Sequence, residues 1–309
     1  MARKRSWGKL ILSCSALLGL FVGGCDVNAN LFPRQPKPQF TTFFEWCTER
    51  SNLDPARRRT VEALLEIAET SDCKKAHQNL NSREGLGLSG AGITNLEPLS
   101  SLTHMTSLGL HQTHVSDLKP ISRMTSLTEL QITGAEKLKD ISPLFSLVKL
   151  IRLDIVNSLV ENIAPLGEMH EMQDLNLYGN QISDLASLSS MKKLARLTVN
   201  DNKVSNLTPL SSFTNLRVLN LSCNQLQDIS PLAALTKLNR LSLSSNRIND
   251  VKPLANLKFL SRLSLNYNYI RDIEPLKAFP YLTIKDIEIK GNPVDGSSTT
   301  SGRDCGYFP

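Results

Sequence analysis

The sequence predicts an α/β solenoid, with a curved parallel β-sheet lining the concave face of a coiled array and a small α-helical cap at its N-terminal end. Three observations lead there. A Leu-x-Leu unit recurs from Leu86 at a spacing of 22 residues, an asparagine recurs five residues after its first leucine, and a proline recurs on the limb leading to the next unit. A fixed period of this length marks a stack of supersecondary units.

Each recurring position has a physical reading. Leu-x-Leu alternates apolar and polar side chains, so it is a short strand with one buried face. Identical strands at fixed spacing stack in parallel along one side of the solenoid. Units open at Leu86, Leu108, Leu130, Leu153, Leu175, Leu197, Leu219, Leu241 and Leu263, the one from Leu130 carrying one extra residue, and Ile287-x-Ile289 starts a terminal partial copy. The turn after each strand is filled by Asn180, Asn202, Asn224, Asn246, Asn268 and Asn292. An amide there can donate to and accept from backbone groups that would otherwise be buried unpaired. Ala91, Thr113 and Ser158 replace it in early copies, so the N-terminal half of this ladder is expected to be less regular. On the returning limb, Pro98, Pro120, Pro143, Pro165, Pro209, Pro231, Pro253 and Pro275 fix the backbone where a short helical turn can begin; Ser187 is the omission.

This pattern resembles the leucine-rich repeat family, in the 22-residue, proline-containing form of bacterial internalins and of a phosphatase-1 regulatory subunit. The resemblance covers residues 85–294, about two-thirds of the chain. It implies a leucine-rich repeat array that binds a protein partner and is not an enzyme. It also accounts for Gly85-Leu-Gly-Leu-Ser-Gly90, whose glycines have the spacing of a dinucleotide loop. Such a loop needs a hydrophobic strand before it and a helix after it. Here the polar stretch "HQNLNSRE" precedes it, and Asn95 and Pro98 interrupt any helix starting behind it. The wall-anchoring motif and immunoglobulin-like region of internalins are absent from the sequence, which argues against host-cell invasion.

The N-terminus reads as an export signal. Arg3, Lys4, Arg5 and Lys9 precede an apolar core, Leu10 to Val22, that is short for a membrane span. Val22-Gly23-Gly24-Cys25 then resembles a bacterial lipobox, with Cys25 the lipidation site. Cleavage after Val27-Asn28-Ala29 is the alternative, and would give a soluble secreted protein. The expected organisation is a signal peptide (1–24), an extended Pro-rich tether (25–38), a helical cap (39–84), the repeats (85–294) and a tail (295–309). Losing the four basic residues of the signal lowers the net charge from +6 to +2, so basicity says little about nucleic acid.

Within the cap segment, Asp54 and Pro55 form an N-cap followed by proline at the first helical position, and Val61, Leu64, Leu65 and Ala68 recur at helical spacing. With Phe43, Phe44 and Trp46 this helix would cover the open end of the first coil, as repeat arrays require. Export makes a Cys47–Cys73 disulfide plausible as a staple, against two free thiols. Cys223 and Cys305, more than eighty residues apart, are expected to remain unpaired.

No constellation of catalytic type stands out. His111 and His114 fall on diverging parts of the unit, so no shared metal is expected. No cofactor, nucleic acid or small-molecule substrate is expected either. What remains is the concave sheet. Glu129, Arg152, Asp174, Arg196, Val218, Arg240 and Arg262 stand just before the successive Leu-x-Leu pairs. Arg196, Arg240 and Arg262 with Asn200, Asn220 and Asn266 are expected to form a polar patch, with Tyr178 and Tyr267 as aromatic anchors. Arg and Tyr are the types that interfaces use most heavily. The expected function is recognition of a protein partner by a module anchored at the bacterial envelope; a structural envelope scaffold without a discrete ligand, or a soluble secreted binder, is the alternative.

Overall fold

The structure is a computed structural model that describes residues 40–277, 279, 286–295 and 305. The signal segment, Cys25 and the expected tether lie outside the described residues. Among those described, no helix is long and apolar enough to cross a membrane.

Ten parallel strands form one open sheet in strict chain order. They are β1 (Gly85–Ser89), β2 (Ser107–His111), β3 (Glu129–Thr133), β4 (Arg152–Val156), β5 (Asp174–Asn176), β6 (Arg196–Thr198), β7 (Val218–Asn220), β8 (Arg240–Ser242), β9 (Arg262–Ser264) and β10 (Ile287–Glu288). The register places each unit's first apolar residue on that of the next: Leu86 on Leu108, Leu130 on Leu153, Leu197 on Leu219 and Leu263 on Ile287. The glycines of the Gly-x-Gly-x-x-Gly run therefore lie in β1 and the turn after it. A Cβ at Gly87 would meet nothing within 4 Å, so no close approach demands glycine there.

Every coil delivers apolar side chains inward from its strand, its turn and its returning limb. In one coil Leu219, Leu221, Leu226, Leu232, Leu235 and Leu238 are all fully buried. At about 1.5–3 kcal/mol for each fully buried side chain, this burial is the main favourable contribution.

The asparagines solve the polar side of the same problem. Asn224 donates from Nδ2 to the carbonyls of Val199 (2.9 Å), Leu221 (3.0 Å) and Ser222 (3.2 Å), and its Oδ1 accepts from the Val204 amide (2.8 Å). One side chain thus ties its own coil to both ends of the preceding turn. Asn180, Asn202, Asn246 and Asn268 repeat the pattern. Thr113 and Ser158, at the same position, have buried hydroxyls with no partner, because neither side chain reaches across.

Just before this asparagine the chain must turn out of the sheet. It does so in the left-handed region in every copy: Gly90, Gln112, Gly134, Asn157, Gly179, Asp201, Cys223, Ser245, Tyr267 and Gly291 all have positive φ. The conformation costs a non-glycine residue roughly 1–2 kcal/mol. In return its amide still donates across the stack, as Cys223 does to the Ser244 carbonyl at 2.8 Å.

On the returning limb an Asx turn starts each short 3-10 helix. Asn95, Asp117, Asp140, Asn162, Asp184, Asn206, Asp228, Asp250 and Asp272 accept the amide two residues on at 2.8–2.9 Å. The carboxylate or amide oxygen supplies the acceptor, and the following proline presets φ. The 3-10 helix Ala186–Ser190 forms without proline because Asp184 still caps it.

The N-terminal cap contains three α-helices: α1 (Phe43–Thr48), α2 (Pro55–Ile67) and α3 (Cys73–Asn81). Asp54 caps α2 through the amides of Ala56 and Arg57. Phe43, Trp46, Val61 and Leu64 join the core of the repeats, whereas Phe44 stays exposed. Thr60 Oγ1 donates to the Asn95 carbonyl at 2.6 Å, and Arg57 grips Glu97 with two bonds of 2.6 and 2.8 Å, so the cap is bonded as well as packed onto the first coil. Cys47 and Cys73 are disulfide-bonded with a Cα separation of 5.5 Å, joining α1 to α3.

The expectation for the other two cysteines was wrong. Cys223 and Cys305 form a disulfide, with Cα atoms 5.3 Å apart. Their separation of 82 residues amounts to fewer than four coils, and neighbouring strands lie only about 4.8 Å apart, so a long stretch of sequence is a short distance along this stack.

Asn224→Ala removes one buried donor group and one acceptor that serve four backbone groups, and is expected to lower the unfolding free energy by about 2–4 kcal/mol. Ser158→Asn, which restores the missing bridge, is expected to raise it by about 1 kcal/mol. Urea titrations followed by circular dichroism would measure both.

Candidate protein-recognition face

Side chains flanking and between the leucines of each strand project to the open face of the sheet. Because units stack in register, residues of one column meet along the hydrogen-bonding direction, and cross-strand charge pairs become neighbours. The column before the first leucine runs Glu129, Arg152, Asp174, Arg196 over β3 to β6, each opposite the next. Its charges alternate and pair. Arg152 Nε lies 3.7 Å from Glu129 and 3.5 Å from Asp154, and Arg196 Nε lies 3.4 Å from Asp174.

Arg152, Asp154, Asp174 and Arg196 border a recess of about 300 Å³ on β4 to β7. Asp154, Asn176, Thr198 and Asn220 line it from the column between the leucines. Tyr178, Arg196 and Asn200 complete it. Burial raises the Asp154 carboxyl above its ordinary range despite the attraction of Arg152, and the charge of Asp174 pushes it in the same direction. Asp174 is also raised, again chiefly by burial, with Glu129 adding to it and Arg196 and Arg152 opposing. Desolvation therefore outweighs ion pairing at both carboxylates.

Of the expected site residues, Tyr178, Arg196, Asn200 and Asn220 come together in this recess. Arg240, Arg262, Asn266 and Tyr267 lie further along the sheet. Arg240 stands directly opposite Arg262, but Val218 separates it from Arg196, so the three arginines do not form one patch. Arg240, Arg262 and Asn266 have polar partners of their own. Tyr267 occupies a left-handed corner and is half-buried. Arg152, Asp154 and Asp174 were not expected as a group, although alternation of sign down the aligned column was visible. His111 Nδ1 pairs with Thr133 Oγ1 at 3.1 Å on the neighbouring strand. No metal-holding group of His, Cys, Asp or Glu occurs among the described residues.

Asn200 and Asn220 are 2% exposed, not solvated as the sequence suggested. Cys305 accounts for part of this: its carbonyl accepts from Asn200 Nδ2 at 2.8 Å while its sulfur is bonded to Cys223. Asn220 turns its Oδ1 inward to the Ser222 amide at 3.0 Å. Over β7 to β9 the columns between and after the leucines carry small hydroxyls that satisfy one another, Ser222 with Ser242 and Ser244 with Ser264, each at 2.6 Å.

Two measurements test these assignments. A carboxyl whose folded value is raised favours folding while protonated and loses that contribution as pH rises through the folded value. Asp154→Asn is therefore expected to stabilise the protein at pH 7, with the gain disappearing below the ordinary value of 3.8. Thermal unfolding of both forms across this range would show it. Cys305→Ser is expected to cost about 2–4 kcal/mol in urea unfolding, because the lost bond closes a long loop.

Comparisons place this architecture. The model for leucine-rich repeats matches residues 192–234, 214–256 and 236–278. No curated protein matches the chain. Among solved structures, an internalin of Listeria monocytogenes is similar at 30% identity, over 75% of this chain and 74% of that one, with a TM-score of 0.64. Internalin C2 of the same organism is similar at 25% identity, over 75% of this chain and 91% of that one, with a TM-score of 0.54. A plant peptide hormone receptor, solved in complex with RGF2, shares the fold at 19% identity and a TM-score of 0.51, over 64% of this chain and 42% of that one. With register-stacked Leu-x-Leu strands, buried asparagines and these relatives, the chain belongs to the leucine-rich repeat family.

Proposed function

We propose that this protein is a non-enzymatic recognition module that binds a protein partner through the open face of its sheet, centred on β4 to β6. The observation that carries this reading is the pair of carboxylates, Asp154 and Asp174, held partly desolvated beside Arg152 and Arg196. A fold has no structural need for such groups on an open face, where they reduce stability; perturbed groups that line a recess mark functional sites. The TM-scores and identities of the Listeria internalins support the same class of function by similarity.

The disulfides indicate a non-cytoplasmic location. We infer further that Val22-Gly23-Gly24-Cys25 directs lipidation of Cys25, and that residues 26–38 tether the module to a bacterial membrane. Lateral confinement at a membrane would raise the effective concentration for an envelope partner.

Two experiments test this. Capture from bacterial envelope extract with the oxidised protein should retain one stoichiometric protein, lost with the Tyr178→Ala/Arg196→Glu variant; equal capture by both forms would move the recognition site elsewhere. Intact mass of the membrane-extracted protein should show a lipid-sized increase on a chain beginning at Cys25, absent from Cys25→Ser. A chain beginning at Asn30 without lipid would favour the secreted form.

A further inference from the structure

The recess on β4 to β7 is lined by two carboxylates, Asp154 and Asp174, and two guanidinium groups, Arg152 and Arg196. Both arginines direct their ion pairs at these carboxylates, and Arg152 is shared with Glu129, which stands outside the lining at 3.7 Å. Across these five groups the carboxylates outnumber the guanidinium groups by one. Asp154 is 9% exposed and sits beside Asn176 of the next strand.

A second observation is independent of the acids. Asn200 lines the same recess and is 2% exposed. Its Nδ2 is committed to the Cys305 carbonyl, which fixes the amide orientation, and its buried Oδ1 has no donor. A buried acceptor left without a donor costs about 1–3 kcal/mol, so such groups call for an explanation. Every unmet requirement of the recess is for a hydrogen-bond donor and for positive charge. The ring of Tyr178 on its edge is the type of surface along which the stem or the plane of a long cation packs. An anion is disfavoured, because it would compete with carboxylates for guanidinium groups already engaged.

We propose that this recess is a subsite for one basic side chain, lysine or arginine, presented by the protein partner, with its cationic head between Asp154 and Asp174 and Asn200 Oδ1 as a further acceptor. This rests on the reading that the sheet face binds protein, and names the chemistry it selects. A recess of about 300 Å³ has room for one such side chain. The stability lost to two partly desolvated carboxylates is recovered on binding, because the incoming cation meets acceptors that are already in place.

The test uses the oxidised full chain and two capped amino acids as probes. Nα-acetyl-arginine amide carries the cation; Nα-acetyl-citrulline amide has nearly the same shape without charge. The side-chain amide resonances of Asn200, assigned by their loss in Asn200→Asp, should shift saturably with the arginine probe, with a dissociation constant on the order of millimolar as expected of a fragment. The citrulline probe should leave them in place. The Asp154→Asn/Asp174→Asn variant should bind the arginine probe about tenfold or more weakly, while unfolding at a higher temperature than the parent, which separates lost charge from lost fold. Affinity should also fall on acidification, as Asp154 and Asp174 take up protons beside Arg152, Arg196 and Glu129. Equal shifts with both probes, undiminished affinity in the double variant, or a shift produced by acetate instead would each overturn the subsite. Failure here with envelope capture intact removes the cation subsite and leaves protein recognition standing; loss of capture with probe binding intact does the reverse.

Discussion

A solenoid coil has to turn several sharp corners inside an apolar stack, and each corner strands backbone carbonyls and amides away from water. The buried asparagine side chain resolves this. Asn246 serves Leu221, Leu243 and Ser244 as a donor and Leu226 as an acceptor, so one amide completes the bonding of a turn and clamps it to the coil before it. Leucine burial is non-directional and would tolerate slippage; the amide is directional and fixes the spacing between coils. The register of the sheet follows from that spacing. So does the alignment of the surface columns, and with it the charge alternation from Glu129 to Arg196.

The recess inherits its properties from this regularity. Stacked strands bring residues from separate coils to within one strand spacing, so the charge of Asp174 on one coil helps raise the Asp154 carboxyl on another. Burial on a sheet face normally removes charge, and in the columns between and after the leucines over β7 to β9 it has done so: Ser222, Ser242, Ser244 and Ser264 pair as neutral hydroxyls, while Arg240 and Arg262 stay in the column before the leucines. The contrast between alternating charges over β3 to β6 and paired arginines beside hydroxyl columns over β8 and β9 divides one continuous sheet into two chemically distinct surfaces.

Most of the scaffold was legible because the period is visible in one dimension. Leu-x-Leu, the turn asparagines and the limb prolines each mark one corner of the coil, and Thr113 and Ser158 identified the places where the ladder fails. The left-handed corner was less legible, because Gln112, Asn157, Asp201, Cys223, Ser245 and Tyr267 share no side-chain chemistry; the position is defined by backbone geometry, and glycine fills it only in some copies. The site was half legible. Sequence columns bring Tyr178 and Arg196 to the right face, but carry no measure of burial, so nothing in them distinguishes the buried Asn200, Asn220 and Asp154 from solvated neighbours. Sequence distance also misjudged Cys223 and Cys305, since within a stack it counts coils while proximity depends on their pitch.

The Cys223–Cys305 bond has a mechanical consequence. In a linear stack, tension applied between the two ends would peel coils from the C-terminal end one at a time, each yielding its own small resistance. Here the covalent link from Cys305 passes the load directly to Cys223, and the intervening residues 224–304 form a closed loop that carries no force. A pull on the C-terminus is therefore felt first at β7, within reach of the recess and of Asn200, while the last three strands remain folded as an unloaded ring.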